Sequence, residues 1–597
     1  MDIEISPTSG DTLYASTFDE NGGAAIYRTD DGGGNWSSIY TNTNVSRYNL
    51  EVTAAEPNYV YALGAEASSE AFFEIAGSAD RGSTWGNVAN KNDDGNLLGW
   101  EVARADAEGQ GTYDLAFAVS PNDEDEFYVG GVVTWKTTDG ASSWTCGNYW
   151  GKTDEQNNTH SFPVVHADKH FLTYHPLRSG ELYECNDGGV WRTSDKGKTW
   201  ENLSDGLVIS QMYSFAHSEK NANDYVMGLQ DNGSKGFVGG SWSDLSGGDG
   251  MDCAVDAVNS YYYTSYINGE IYRNHATKGQ VTISQNLPGG QIKGSWLTPF
   301  ELDANNSSTI YVLYDEVYKS TNSGDTWAKL GLLGVSDPLK YMSVSDLDGD
   351  IIYVADDQTI QMTSDGGTNW SDISAGLPVS KANISSVYAH PSDKDYVGVT
   401  ISGYEAAEKF YFSSDQGQTW TNQTKTGLPN VPANCIAIDK LSEDLYIGTD
   451  VGVFLYDKNN SKWEKYGDKL PNVPIIELVA HYATSKIRVA TFGRGAWEAD
   501  LNTSTLSTAS TDDVDSKTES LIKVYPNPGN DWITLELKSF DGESSEIGVY
   551  NYLGELVLKF DMNSVEQKVN VKELSSGIYY IGKSGEFFQD FTRFVKN

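Results

Sequence analysis

The sequence predicts an all-β protein, in which an array of short antiparallel sheets precedes a small C-terminal β-sandwich. Three observations support this prediction: one eight-residue hairpin pattern recurs seven times, aromatic residues make up 12% of the chain, and 60 glycines supply turns. Aromatic strands joined by Gly-rich turns are typical of all-β domains. At 597 residues the chain is also too long for one simple core, so a repeat array or several domains are expected.

The repeated hairpin has the pattern Ser/Thr-x-Asp-x-Gly-x-Thr-Trp, as in residues 78–85, and looser copies carry Ala141 at the Gly position or Asn322 at the Asp position. We expect the carboxylate and the hydroxyl to bond backbone N–H groups inside a tight turn, and the Gly to supply a positive φ. We expect the Trp to bury its ring between neighbouring sheets. These roles are structural, and the Asp and Trp residues that carry them are Asp31, Trp36, Asp80, Trp85, Asp139, Trp144, Asp195, Trp200, Trp327, Asp365, Trp370, Asp415 and Trp420.

Each hairpin follows a turn and an aromatic strand, so the chain divides into units of mostly 40 to 55 residues. A unit reads as four antiparallel strands, which is one blade of a β-propeller. Residues 1–501 hold about eleven such units. Met1 is followed directly by a predicted strand, with no leader peptide between them.

The hairpin resembles the Asp-box, or BNR repeat, shared by sialidases, sortilin-like receptors and the xyloglucanases of glycoside hydrolase family 74. The segments His-Ala-Asp-x-His, Gln-Asp-Asn-Gly and Gly-Asp-Gly-Met also look like a group of exported bacterial BNR-repeat proteins. Family 74 enzymes imply two seven-bladed propellers, whereas a sortilin-like receptor implies one ring of ten blades. We expect two propellers here, the first incomplete because blades lie upstream of Met1, and the single ten-bladed ring is the alternative.

The C-terminal part separates into a linker and a small domain. Residues 502–520 are polar and rich in Ser and Thr, which indicates a linker, and residues 521–597 show closely spaced strands typical of a sandwich. The order YPNP, YNxxG and LxxGIY resembles the type IX secretion C-terminal sorting domain of the Bacteroidota. That resemblance implies export to the cell surface or the medium, with the type IX secretion machinery as the partner of residues 521–597. The alternative is a generic or carbohydrate-binding sandwich.

Charge and cysteine usage exclude several classes of function. The net charge of −43 argues against binding to nucleic acid or to anionic lipid. No apolar run is long enough for a membrane-spanning helix. The four cysteines are far apart and form no CxxC pair, which gives a zinc finger no support. We expect mostly buried free thiols, with one bridge at most, among Cys146, Cys185, Cys253 and Cys435.

Two groups of residues are candidates for ligand binding. His166, Asp168 and His170 would point to one side of an extended chain and could bind a divalent metal, the one cofactor that the sequence suggests. The alternative for this segment is a hydrogen-bonded loop that braces neighbouring blades. The second group follows two predicted strands, where turn formation is the alternative role, and consists of Gln230, Asp231, Asn232 and Asp249.

The leading functional hypothesis is an exported propeller that binds a glycan or a protein without catalysis. The alternative is a secreted glycoside hydrolase of the xyloglucanase type, which needs two carboxylates across a cleft. The sequence offers many carboxylates and does not single out a pair. Sialidase activity is disfavoured because arginine is scarce and the Arg-Ile-Pro signature of that family is absent.

Overall fold

The computed structural model describes residues 1–502 except 155, 291–293, 332–338 and 459, and residues 522–596 except 538–543, 552–555 and 584–591. Within these ranges the chain is almost entirely strands and turns, as predicted, with one short α-helix at Lys91–Asp94 and 3₁₀ turns at Ile267–Gly269, Ser284–Asn286 and Tyr482–Thr484. No described helix is both long and apolar enough to cross a membrane. The chain forms two compact units, Met1–Ile209 and Ser210–Asn597.

The first unit consists of four antiparallel sheets of four strands each, and in every sheet the strands are neighbours in sequence order. The strands of the first two sheets are Ile3–Ile5, Leu13–Ser16, Ala24–Thr29 and Ser37–Asn42 (β1–β4), and Val45–Val52, Val60–Glu66, Phe72–Ser78 and Gly86–Asn90 (β5–β8). Those of the next two are Ala116–Ser120, Asp123–Gly130, Thr134–Thr137 and Thr145–Asn148 (β9–β12), and Lys169–Tyr174, Leu182–Asn186, Gly189–Thr193 and Glu201–Asn202 (β13–β16).

Between residues 210 and 501, the described part of the second unit contains six more four-stranded antiparallel sheets and a seventh of three strands. The first three comprise Met212–His217, Tyr225–Leu229, Gly233–Val238 and Ser241–Ser246 (β17–β20), Cys253–Asp256, Tyr261–Tyr266, Glu270–His275 and Gly279–Thr282 (β21–β24), and Phe300–Leu302, Ile310–Leu313, Val317–Ser320 and Ala328–Lys329 (β25–β28). The others comprise Tyr341–Val344, Ile352–Ala355, Ile360–Thr363 and Ser371–Asp372 (β29–β32), Ile384–Ala389, Val397–Ile401, Phe410–Ser413 and Thr421–Asn422 (β33–β36), Ala433–Ile438, Leu445–Thr449, Gly452–Asp457 and Lys462–Tyr466 (β37–β40), and Ile475–His481, Lys486–Thr491 and Ala496–Asp500 (β41–β43).

These seven sheets form a closed ring. The first strand of each sheet packs against the first strand of the next, and β41 of the seventh sheet packs against β17 of the first. This is the arrangement of a β-propeller, in which the first strands line a central channel. Eleven sheets therefore precede the linker, as the repeat spacing predicts. The closure of seven sheets among themselves contradicts the alternative of a single ten-bladed ring.

The C-terminal residues form the predicted β-sandwich. One sheet pairs Ile522–Tyr525 (β44), Trp532–Leu537 (β45) and Glu566–Asn570 (β48), and the other pairs Leu556–Met562 (β47), Ser545–Asn551 (β46), Gly577–Lys583 (β49) and Thr592–Lys596 (β50). Aliphatic side chains of both sheets make a shared core. Most of the predicted linker lies outside the described residues.

The Asp-box hairpins show the predicted hydrogen bonds. In residues 78–85, the Ser78 hydroxyl accepts a bond from Gly82 N at 2.8 Å, and Asp80 accepts bonds from Thr84 N and Thr84 Oγ1 at 2.7 Å each. The turn needs a positive φ at its Gly position, and Ala141 adopts φ 70° there. The bonds that form the turn itself therefore all lie within eight residues.

The box tryptophans connect successive sheets. Four of them donate Nε1 to a carbonyl at the end of the preceding sheet of their own unit, namely Trp200 to Gly147 at 3.3 Å, Trp327 to Ile283 at 3.0 Å, Trp370 to Leu330 at 3.4 Å and Trp420 to Ile373 at 2.7 Å. Trp36 is an exception and a correction to the expected burial, because its side chain is 39% exposed. It directly precedes β4, Ser37–Asn42, of the first described sheet.

Candidate functional site

The histidine segment of the first unit does not have the extended geometry that the sequence suggested. Strand β13 begins only at Lys169, and Asp168 adopts φ 61°, so the side chains of residues 166, 168 and 170 do not follow one face. His166 packs over the next hairpin, where a Cβ added to Gly188 would lie 2.4 Å from the His166 Cβ. Among the described residues, these three side chains are not gathered into one set of ligand atoms within 4.8 Å.

His170 instead pairs with a carboxylate that the sequence did not single out. Its Nε2 lies 2.6 Å from Asp187 Oδ1, and Tyr113 Oη donates to Asp187 Oδ2 at 2.9 Å. The ring edges of His170 and Tyr113 also meet, with centroids 4.8 Å apart. The hydrogen bond to Asp187 raises the pKa of His170 above its usual value. Tyr113 is 49% exposed, so this group reaches the surface of the unit.

Buried charged groups lie beside this pair. Burial raises the pKa of Asp114 to about 9, and the charge of Asp168 adds to the shift. Neither carboxyl oxygen of Asp114 has a hydrogen-bond partner among the described residues. Burial also raises the pKa of Asp168, with Asp187 adding to the effect. Carboxyl oxygens of Asp168 and Asp187 lie within 4.8 Å of each other. The segment therefore gathers three carboxyl groups beside His170, and burial raises the pKa of two of them, Asp114 and Asp168.

The second candidate group lies in the ring of the second unit and forms a braced turn. Asp231 adopts φ 59°, and its N–H donates to Asp249 Oδ1 at 2.8 Å. Asn232 Nδ2 donates to the Gln230 carbonyl at 3.1 Å. The two loops approach so closely that a Cβ on Gly250 would lie 2.2 Å from the Gly233 oxygen. Asp231 and Asp249 thus hold the two loops together, and Asn232 braces the turn of its own loop.

An aromatic pair that the sequence analysis missed lies beside this turn. The Trp296 indole donates to Tyr213 Oη at 3.3 Å, and Tyr213 Oη donates to Gln230 Oε1 at 3.0 Å. Burial raises the pKa of Tyr213, and the nearby Asp249 adds to the shift. Trp296 is 52% exposed. We call Tyr213, Gln230, Asp249 and Trp296 the Trp296 face; one signal for it in the sequence is a tryptophan that belongs to no Asp-box.

Three carboxyl groups around the central channel of the same ring were also missed. Glu477 accepts a bond from Phe215 N at 2.7 Å, and Glu301 and Asp252 accept comparable bonds from backbone N–H groups of a neighbouring sheet. Burial raises the pKa of both glutamates to about 8 and that of Asp252 to about 6. These carboxyl groups tie neighbouring sheets together at the channel.

Comparison with known proteins supports the architecture. Residues 523–595 match the family model of the secretion system C-terminal sorting domain, and residues 315–429 match the sortilin (neurotensin receptor 3) family model. A xyloglucanase of Hypocrea jecorina (strain QM6a) is 24% identical over 317 residues, which is 48% of this chain. The chain spans only about a third of the length of that relative, at 34%.

One solved structure supports this fold. An ancestral GH74 enzyme superposes with a TM-score of 0.50 at 13% identity, covering 84% of this chain and 86% of the enzyme. A GH74 enzyme of Niastella koreensis covers 84% of this chain at 14% identity, with a TM-score of 0.31. The chain is thus an exported β-propeller protein whose C-terminal residues form a type IX secretion sorting domain, which directs it to the cell surface or the medium.

Proposed function

We propose that this exported propeller binds a plant-type polysaccharide at the Trp296 face. The observation that carries the proposal is the indole of Trp296, which is 52% exposed yet fixed by its bond to Tyr213. A fixed aromatic ring gives the apolar face of a sugar a stacking surface without further loss of side-chain entropy. The Gln230 amide and the Asp249 carboxylate lie beside it as partners for hydroxyl groups.

The chemistry of the ligand follows from the surface and from the matched relative. A chain with a net charge of −43 favours a neutral ligand over an anionic one. Xyloglucan is a neutral polysaccharide, and the matched relative is described as a xyloglucanase. We therefore take a neutral β-glucan such as xyloglucan as the first ligand to test.

Binding is tested by affinity electrophoresis and calorimetry with xyloglucan. We expect Trp296→Ala to weaken binding by roughly tenfold or more, the loss of one stacking contact worth about 1–2 kcal/mol. Trp242→Ala is the matched control, because Trp242 is 58% exposed on the outer strand of the first sheet of the same ring. Equal affinity of Trp296→Ala and the wild type would contradict the proposal.

Polysaccharide hydrolysis is the second candidate function, and one observation favours it. The carboxyl oxygens of Asp168 and Asp187, within 4.8 Å, are close to the separation of about 5 Å used by retaining glycosidases. Burial raises the pKa of Asp168, as a general acid requires. We expect reducing ends to be released from xyloglucan by the wild type and not by Asp187→Asn. If the wild type binds xyloglucan without releasing reducing ends, the result supports polysaccharide binding and rules out hydrolysis.

A further inference from the structure

We propose that His217, Glu219 and His481 form a binding site for a divalent transition metal, with Zn²⁺ as the best match, at the seam where the seven-bladed ring closes. His217 ends β17 of the first sheet, and His481 ends β41 of the seventh sheet. One ligand atom from each of the three side chains lies within 4.8 Å of the others. This inference is independent of the proposed polysaccharide binding.

The geometry of the three side chains suits a metal. His217 Nε2 lies 3.2 Å from Glu219 Oε1, which is close to the separation of two ligands that each bind one ion at about 2.0–2.1 Å. The imidazole rings of His217 and His481 stand at 84° to each other with centroids 4.6 Å apart, so they do not stack. Two imidazoles and one carboxylate make a donor set that Zn²⁺ prefers over Ca²⁺ or Mg²⁺.

Surrounding atoms orient the ligands and supply a further oxygen. In the structure His481 Nε2 donates to the Ser218 carbonyl, and Nδ1 lies 2.6 Å from Thr484 Oγ1. Because a hydroxyl can also accept, Thr484 can hold the ring proton on Nδ1 instead, which frees Nε2 for a metal. The Ser218 carbonyl oxygen lies 3.3 Å from His481 Nε2 and can complete the coordination, as can a water molecule.

Burial adds an independent observation. The His481 residue is fully buried, and the His217 side chain is 4% exposed. Nδ1 of His217 is buried and has no hydrogen-bond partner in the described part of the chain. This nitrogen is a different atom from the Nε2 that lies beside Glu219, so an ion bound through Nε2 leaves it unpaired, and the site rests on the geometry and the burial of the two imidazoles. The Glu219 side chain is 48% exposed, which gives an ion a path from solvent.

The position of the cluster explains what the metal would do. The seventh sheet has three described strands and shares none with the first sheet. The seam is held by the packing of β17 against β41, by an apolar cluster that joins Phe215 to Ala490, and by polar contacts such as the bond from Arg488 to the Ala222 carbonyl at 2.7 Å. Ser218 and His481 are 263 residues apart, so an ion held there would close a very long loop.

The test uses the full chain, stripped with EDTA and then given ZnCl₂ as the only added ligand. We expect about one equivalent of tightly bound Zn²⁺ by mass spectrometry of the dialysed protein. We also expect the melting temperature to rise by roughly 5 °C at zinc concentrations about a hundredfold above the dissociation constant. Failure of the stripped wild type to bind Zn²⁺ would overturn the proposal.

Glu219→Gln is the decisive variant, because the Glu219 side chain is 48% exposed and the substitution keeps its size while removing the charge. We expect it to weaken Zn²⁺ binding by at least about tenfold and to reduce the thermal shift. Glu498→Gln is the matched control, since Glu498 belongs to the same seam, pairs with Arg488 and is exposed to a similar extent, at 52%. Unchanged Zn²⁺ affinity in Glu219→Gln would place the ion elsewhere and refute the site, and His481→Gln gives a second measurement if it folds.

Discussion

Trp327 should stabilise its ring far more than an exposed tryptophan of the same unit. Trp327 is 8% exposed and Trp242 is 58% exposed. Trp327 therefore buries about half of a tryptophan side-chain area of about 250 Å² more than Trp242 does, which stabilises the fold by about 3 kcal/mol more. Trp327 also donates to the buried Ile283 carbonyl at 3.0 Å, and loss of that bond costs about 1 kcal/mol more. We therefore expect Trp327→Ala to destabilise the ring by about 4 kcal/mol more than Trp242→Ala.

Hydrogen exchange read by mass spectrometry is the appropriate measurement, because a chain with two units need not unfold in one step. Peptides from Phe300–Leu302 and Val317–Ser320 report on the sheet that contains Trp327. Trp327→Phe separates the hydrogen bond from the packing and should cost only part of the full effect. The reasoning fails if Trp327→Ala and Trp242→Ala lower the protection of these strands equally.

Three further results are expected. Gly417→Ala should lower the melting temperature by several degrees, because φ is 85° there and the new Cβ would lie 2.3 Å from Ile373 Cδ1; an unchanged melting curve would contradict this. Burial raises the pKa of Glu477 from its usual value of 4.5 to about 8 in the folded chain. Between pH 4.5 and 8 the folded chain therefore keeps a proton on Glu477 that the unfolded chain has lost, so the free energy of unfolding falls as the pH rises through this range. Glu477→Gln, which can still accept from Phe215 N, should flatten the dependence of the melting temperature on pH, and an equally steep curve would refute the assignment. Thiol labelling should be slow in the native chain, because burial raises the pKa of every cysteine. After denaturation without reductant it should give four adducts, because the structure leaves four free thiols, on Cys146, Cys185, Cys253 and Cys435. Fewer than four adducts would indicate a disulfide.

Local chemistry explains why much of the fold could be predicted. The bonds that the Asp carboxylate makes lie within the eight residues of its box, so the pattern around Asp80 or Asp415 defines the hairpin turn without knowledge of the rest of the chain. The spacing of the aromatic strands, together with these boxes, then predicts about eleven sheets. The extended geometry assumed for the segment around Asp168 was wrong, because a single residue with positive φ is enough to change which way the following side chains point.

The sequence by itself determined the strands, the eleven sheets and the sorting domain, because each depends on residues that are close in the chain. Only the tertiary structure decided which sheets close into a ring and which side chains meet. Trp296 and Tyr213 are 83 residues apart, and His481 meets Ser218 across 263 residues. Such contacts depend on how whole sheets pack against one another, and no local sequence pattern determines that packing.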